Sequence, residues 1–286
     1  MTPRLRAALK QRLGTAVKSA RSLSGGDINE AFEVALEDGN RIFVKTHPNP
    51  PSAMFEAEAH GLRWLNEAGA VRLPEVLAFS NDVPAYLALE LLTPGKRTPS
   101  FDEELGRGLA ALHAHGAPSF GLDRDNFIGM LPQSNTPVDD WPSFYWRRRL
   151  ETQLQLATDR GLIDSATGNQ FQALQRVLAD RAGPSEPPSR LHGDLWGGNL
   201  HADDGGRPCL IDPAVYGGHR EVDLAMMRLF GGFSERVFAA YEEAWPLAPG
   251  AEARVPVYQL YPLLVHVNLF GGAYVGSVKR ALSECV

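Results

Sequence analysis

Cysteine is nearly absent from this chain: only Cys209 and Cys285 occur in 286 residues. Two thiols are too few for a disulfide framework, and Cys209 falls inside a predicted buried strand, where it reads as a small core residue. Positive charge is not in excess either. The formal net charge of −6 argues against nucleic acid or an anionic membrane as the main partner. Long apolar runs are missing too. The nearest, 261–278, carries His266 and is interrupted by Pro262, Asn268, Gly271, Gly272 and Gly276. It reads as a buried C-terminal helix and its exit, not a membrane span. The N-terminus has no signal-peptide block, because Leu5, Leu9 and Leu13 fall at helical spacing among Arg and Lys. Neither internal repeats nor low-complexity tracts occur. The expectation is a soluble, cytoplasmic protein whose 44% hydrophobic content can bury a core as one large domain or two lobes.

What is present concentrates in Leu191-His192-Gly193-Asp194-Leu195-Trp196-Gly197-Gly198-Asn199 and Leu210-Ile211-Asp212. Apolar runs bracket glycines and polar residues, with Asp203-Asp204-Gly205-Gly206 as a turn between them. The segment reads as loop, strand, turn, strand, a hairpin able to bring Asp194, Asn199 and Asp212 to one cleft. That set suits phosphoryl transfer. Asp194 would orient the attacking hydroxyl, while Asn199 and Asp212 would offer oxygens to Mg²⁺ bridging the phosphates of ATP. The spacing matches a kinase catalytic loop, with Asp212 in the place of the following metal-binding aspartate. An ordinary aspartate, with a pKa of about 4, is a weak base, so Asp194 is expected to act mainly by positioning.

The stretch from His192 to Asn199, followed by Asp212-Pro213-Ala214-Val215-Tyr216-Gly217-Gly218-His219-Arg220-Glu221-Val222-Asp223-Leu224-Ala225-Met226, resembles the fructosamine kinase (ketosamine-3-kinase) family. That family belongs to the aminoglycoside phosphotransferase and choline kinase branch of kinase-like folds. Trp196 and Asp212-Pro213-Ala214 distinguish it within the branch. Similar stretches at 139–144 and 258–261 extend the resemblance over nearly the whole chain. It implies an α+β, two-lobed protein-kinase-like fold: an N-terminal nucleotide-binding lobe (1–92) with a small antiparallel sheet, a hinge at 93–95, and a mainly helical catalytic lobe (93–286). It also implies a ketosamine acceptor, an Amadori product on lysine or another amine, phosphorylated by ATP at O3. The unstable 3-phosphate would then release the amine, a deglycation role.

Taken in order, residues 3–14 read as a helix ending at Gly14. Strands at 31–36 and 41–45 flank an Asp38-Gly39 turn. Gly25 and Gly26 in the preceding loop would approach phosphates by their backbone, and Lys45 would pair with phosphate oxygens. Family members often carry a cysteine in that loop; Asp27 here makes thiol regulation unlikely to arise. Residues 54–67 read as a helix bearing Glu56 and Glu58, about 200° apart around the axis, so only one can anchor Lys45. Register against the family pattern favours Glu58, with Glu56 the alternative. Strands follow at 73–77 and 85–92, and Glu90, Leu91, Leu92 and Thr93 would hold the adenine through their backbone. A helix at 102–115 carries His113 and His115, which point apart at i, i+2 and so form no metal pair; His113 reads as a buttress.

Residues 121–135 read as a loop whose Asn126, Gln133 and Asn135 provide polar support near the cleft. Asp139 and Asp140 open a helix, as an acidic first turn or as a wall facing a cationic amine. Further helices are expected at 145–156 and 169–182, then a Pro-rich linker at 183–189. Residues 216–221 read as a loop. By resemblance, Asp223 braces the catalytic loop. Trp196, Tyr216, His219 and Glu221 are the candidates for holding the acceptor sugar, or else packing residues. Two rivals remain open: a small-molecule kinase of the aminoglycoside or choline type, and a nucleotide-binding pseudokinase. The intact set Lys45, Asp194, Asn199 and Asp212 counts against the second. Oligomeric state is left open.

Overall fold

The computed structural model describes residues 1–23 and 29–285; the expectation for Gly25, Gly26 and Asp27 lies outside the described residues. Helix α1 (Pro3–Leu13) starts with Pro3 in its first turn and Thr2 as N-cap, whose hydroxyl accepts from the Leu5 N–H. It stops at Gly14, which takes the left-handed conformation. Strands β1 (Val17–Leu23), β2 (Glu30–Leu36), β3 (Arg41–Thr46), β4 (Val76–Ser80) and β5 (Tyr86–Glu90), with helix α2 (Met54–Asn66) between β3 and β4, complete the N-terminal lobe. The sheet is antiparallel in the order β1-β2-β3-β5-β4.

Strand alternation assigns the two faces. Ile42, Val44, Tyr86 and Ala88 join Leu5 and Leu9 of α1 in one buried cluster. Leu87, Leu89 and half-buried Phe43 pack into the cluster that contains α2. Lys45, in step with Phe43, therefore faces α2. The expected strand at 73–77 begins only at Val76; Pro74 has no N–H to donate to a ladder.

The C-terminal lobe starts with α3 (Phe101–His115). The expected loop at 121–135 contains a short hairpin, β6 (Asn126–Ile128) and β7 (Leu131–Gln133), whose three-residue arms are too brief to show alternation. Helix α4 (Trp141–Phe144) runs through a π-helical segment (Tyr145–Leu150) into α5 (Glu151–Asp159), and α6 (Ser165–Arg181) follows. Strands β8 (Ser189–Leu191), β9 (Leu200–Ala202) and β10 (Pro208–Leu210) frame the catalytic stretch. Residues 216–218, expected as loop, form β11 (Tyr216–Gly218), which pairs with β8. Helices α7 (Glu221–Phe230), α8 (Glu235–Ala244), α9 (Ala251–Phe270) and α10 (Val275–Ser283) close the lobe. Among the described residues no helix is long and apolar enough to cross a membrane.

One core is shared between the lobes. Phe55, Leu62 and Leu65 of α2 cluster with Leu105 and Leu109 of α3, with Leu195 and Leu210, and with Leu224 of α7.

Candidate active site

Strand β8 delivers the chain to Gly193, where φ is +80° and a Cβ would lie 2.0 Å from the Ala214 carbonyl oxygen. Only glycine fits such a turn. Asp223, at the start of α7, fixes this backbone: its carboxylate accepts from the N–H groups of His192 (2.8 Å) and Gly193 (2.9 Å). Burial works against that charge, but the hydrogen bond from His113 and the other donors outweigh it and hold Asp223 below the usual carboxylate range. His113 is itself buried between Asp223 (3.2 Å) and the Tyr241 hydroxyl (2.9 Å). His192 is fully buried, which depresses its pKa. As the neutral ring it accepts at Nδ1 from the Asp194 N–H and donates from Nε2 to the Ile211 carbonyl.

Asp194 thus stands on a backbone pinned from two sides. Asn199 donates from Nδ2 to the Asp194 carboxylate (3.1 Å) and carbonyl (2.8 Å). Burial pushes the Asp194 carboxyl up to about 7, with Asp212 and Asp223 adding to the rise and Asn199 opposing it. This departs from the ordinary pKa expected from sequence, because the hydrogen bond from Asn199 does not offset the desolvation and the neighbouring carboxylates. The carboxylate is accordingly a stronger base than a surface aspartate.

Asp212 has φ of +52°, a left-handed conformation that costs a non-glycine residue energy and tends to occur at functional sites. Its Oδ1 lies 2.9 Å from Lys45 Nζ, and Lys45 also pairs with Glu58. Burial alone would lower the Lys45 pKa, but the two carboxylates more than reverse that and keep the ammonium charged. Glu56 points elsewhere, towards Asn81 and Arg124.

The donor set fits a hard divalent cation. Asn199 commits its amide nitrogen to Asp194 and Asp212 gives Oδ1 to Lys45; among the described residues no hydrogen bond takes Asn199 Oδ1 or Asp212 Oδ2. One carboxamide and one carboxylate oxygen are what Mg²⁺ takes from protein when phosphate oxygens complete its shell. Among the described residues no cluster of three or more His, Cys, Asp or Glu could hold a metal by itself.

Trp196 is exposed (43%) and its indole lies over Gly198: a Cβ there would sit 2.3 Å from ring carbons Cη2 and Cζ2. The six-membered part of the ring packs against the Gly198 backbone, and the rest of the side chain is partly open to solvent. Tyr216, His219 and Glu221 are different, and the expectation that they face the acceptor is corrected. Tyr216 in β11, His219 directly after it and Glu221 at the start of α7 are all buried in the lobe. Tyr216 lies under the Arg149 guanidinium, 3.8 Å from its ring centre; His219 stacks on Tyr258; Glu221 is bonded to Arg254, with Oε2 2.8 Å from Nε. Asp140 caps α4 by accepting from the Ser143 N–H, which fits an acidic first turn.

Asn126 and Gln133 donate to the carbonyls of Val215 and Ala214, supporting the segment after Asp212. At the end of β5 the Glu90 side chain is held by Arg72 and the Glu75 N–H, and residues 91–98 follow as irregular chain bonded to the β9–β10 hairpin through Gly95 N–H to the Ala202 carbonyl and Thr98 N–H to the Gly206 carbonyl. Sequence spacing did not single out Arg149 or Arg190; both are buried arginines, and no short motif announces such residues.

A fructosamine kinase family model matches residues 1–286. An Enterococcus faecium protein named as a probable ketoamine kinase is 39% identical over 262 residues, covering 91% of this chain and 92% of its own. A crystal structure of a Thermobifida fusca chain named as a fructosamine-3-kinase superposes with a TM-score of 0.93 at 38% identity, covering 100% of this chain and 99% of its own. An ADP-bound aminoglycoside phosphotransferase shares the fold alone, with a TM-score of 0.66 at 14% identity, covering 99% and 98% of the two chains. The chain belongs to the fructosamine kinase family, ATP-dependent phosphotransferases built on a two-lobed kinase-like fold.

Proposed function

We propose that this kinase phosphorylates the 3-hydroxyl of ketosamines, fructosamine or ribulosamine adducts of lysine and other amines, and thereby serves deglycation. The observation that carries the reading is Asp194, held by Asn199 and a braced backbone, two residues before the exposed side chain of Trp196. Asp194 receives the proton of the acceptor hydroxyl and orients it for attack. Lys45, kept charged by Glu58 and Asp212, binds phosphate oxygens of ATP. The backbone of Glu90, Leu91, Leu92 and Thr93 holds the adenine, with the lobes meeting at 93–95. Asn199 and Asp212 would hold Mg²⁺, which supplies charge neutralisation on the phosphates when bound. Trp196 packs on the apolar face of the sugar.

The test is phosphate incorporation from ATP into fructoselysine and ribuloselysine, beside kanamycin and choline at matched concentration. Labelling of a ketosamine at O3 is expected. Labelling of kanamycin or choline with neither ketosamine labelled would overturn the substrate assignment and leave the kinase fold standing.

A further inference from the structure

Arg190, in β8, stands four residues before Asp194 and is 5% exposed. Its backbone is paired with Gly217 in β11, so its stem is fixed in the catalytic lobe. Its guanidinium reaches across to the other lobe and ends on α2. There it donates to the Trp64 carbonyl and to Glu67 Oε2 (3.0 Å), and its Cζ lies 4.2 Å from the centre of the Trp64 ring. Nε donates to the Gly116 carbonyl (3.3 Å), at the end of α3. Trp64 lies in the last turn of α2, where carbonyls lack intrahelical partners and the helix dipole is negative. A planar cation that can both stack and donate is suited to that end.

Helix α2 is also the element that carries Glu58 to Lys45. One side chain therefore joins the strand that delivers Asp194 to the helix that sets the lysine. We propose that Arg190 is a positioning residue: it fixes α2 against the catalytic strand and so holds the Glu58–Lys45 pair at the place where nucleotide phosphates must lie. The inference rests on the reading of Lys45 and Glu58 as the phosphate-binding pair. A contribution to packing alone would lower stability and the active fraction, but would leave the remaining enzyme with its normal affinity for ATP.

The experiment is steady-state kinetics on Glu58→Gln, Arg190→Lys and the double variant, with ATP and a ketosamine varied separately. Arg190→Lys keeps the charge and loses the fork and the stacking plane. It should raise KM for ATP about fivefold, a coupling of the size seen between residues in one network, while the ketosamine KM moves less than about twofold. The double variant should be no worse for ATP than the poorer single one, since both act through the same pair. Trp64→Phe, which trims the ring beneath the guanidinium, should move KM for ATP in the same direction and less far. An unchanged KM for ATP in both Arg190→Lys and Trp64→Phe, or full additivity of Arg190→Lys with Glu58→Gln, overturns the inference while the nucleotide site stands. An unchanged KM for ATP in Glu58→Gln removes the phosphate-binding reading itself, and the inference with it.

Discussion

Lys45 Nζ lies 2.9 Å from Asp212 Oδ1, although 167 positions separate the two in sequence. The contact joins the small sheet to the catalytic hairpin and places a buried cation beside the left-handed aspartate. Two carboxylates, Asp212 and Glu58, share that cation, whereas Asp194 is held by the neutral Asn199 amide. The consequences for each acid differ and can be measured.

Asp194→Asn should cut turnover by roughly 10² to 10⁴ while leaving Mg-ATP binding nearly intact. It should also stabilise the apoprotein. An unfolded aspartate titrates near 4, whereas the folded group titrates near 7. Between these pH values the folded state binds more protons, so stability falls as pH rises, and above about 7 the whole cost is present. Asparagine does not ionise. Thermal melts should therefore place the variant above the parent at pH 8, with the two converging towards pH 4. Equal melting at pH 8 would show that burial does not strain the Asp194 carboxylate.

Asp212→Asn and Asp223→Asn should separate binding from architecture. On the proposed role of Asp212 as a Mg²⁺ ligand, the first removes the charge of that ligand and should weaken Mg-dependent nucleotide binding in calorimetry. The second weakens the brace on the His192 and Gly193 N–H groups and should cost about 2 kcal/mol of stability. Loss of metal-dependent binding in Asp223→Asn, with the melting temperature unchanged, would reverse these roles.

Glu58→Ala should impair turnover and ATP affinity far more than Glu56→Ala. Glu58 meets buried Lys45, while Glu56 meets Asn81 and Arg124 at the surface. An exposed pair of that kind is worth about 0 to 1 kcal/mol. Comparable kinetic damage from both variants would mean that the helix as a whole, not its inward face, sets the lysine.

Trp196→Ala should raise KM for the ketosamine with a smaller effect on ATP. Gly198→Ala should do the same without removing the ring, because the added methyl would occupy the seat of the indole. If Gly198→Ala left the ketosamine KM untouched while Trp196→Ala raised it, the orientation of the ring over Gly198 would not matter to acceptor binding.

The local chemistry was legible in sequence because it is local. Asp194 and Asn199 share one loop, Asp38-Gly39 ends one strand and begins the next, and Leu5 and Leu9 repeat at the helical period. Regular spacing and single-residue backbone demands are properties of short segments, so they survive in a linear reading. The departures arose where distant segments meet. Tyr216, His219 and Glu221 looked available for an acceptor, but Arg149 covers Tyr216, Tyr258 stacks on His219, and Arg254, 33 positions further on, took the Glu221 charge. The Asp194 pKa likewise depended on burial and on Asp212 and Asp223, none of which is a property of the segment alone. The sequence by itself determined the two-lobed class and offered Asp194, Asn199 and Asp212 as candidates for one site. Tertiary structure decided which charges are neutralised and which remain open, because desolvation and ion pairing depend on what the folded chain brings within a few ångströms.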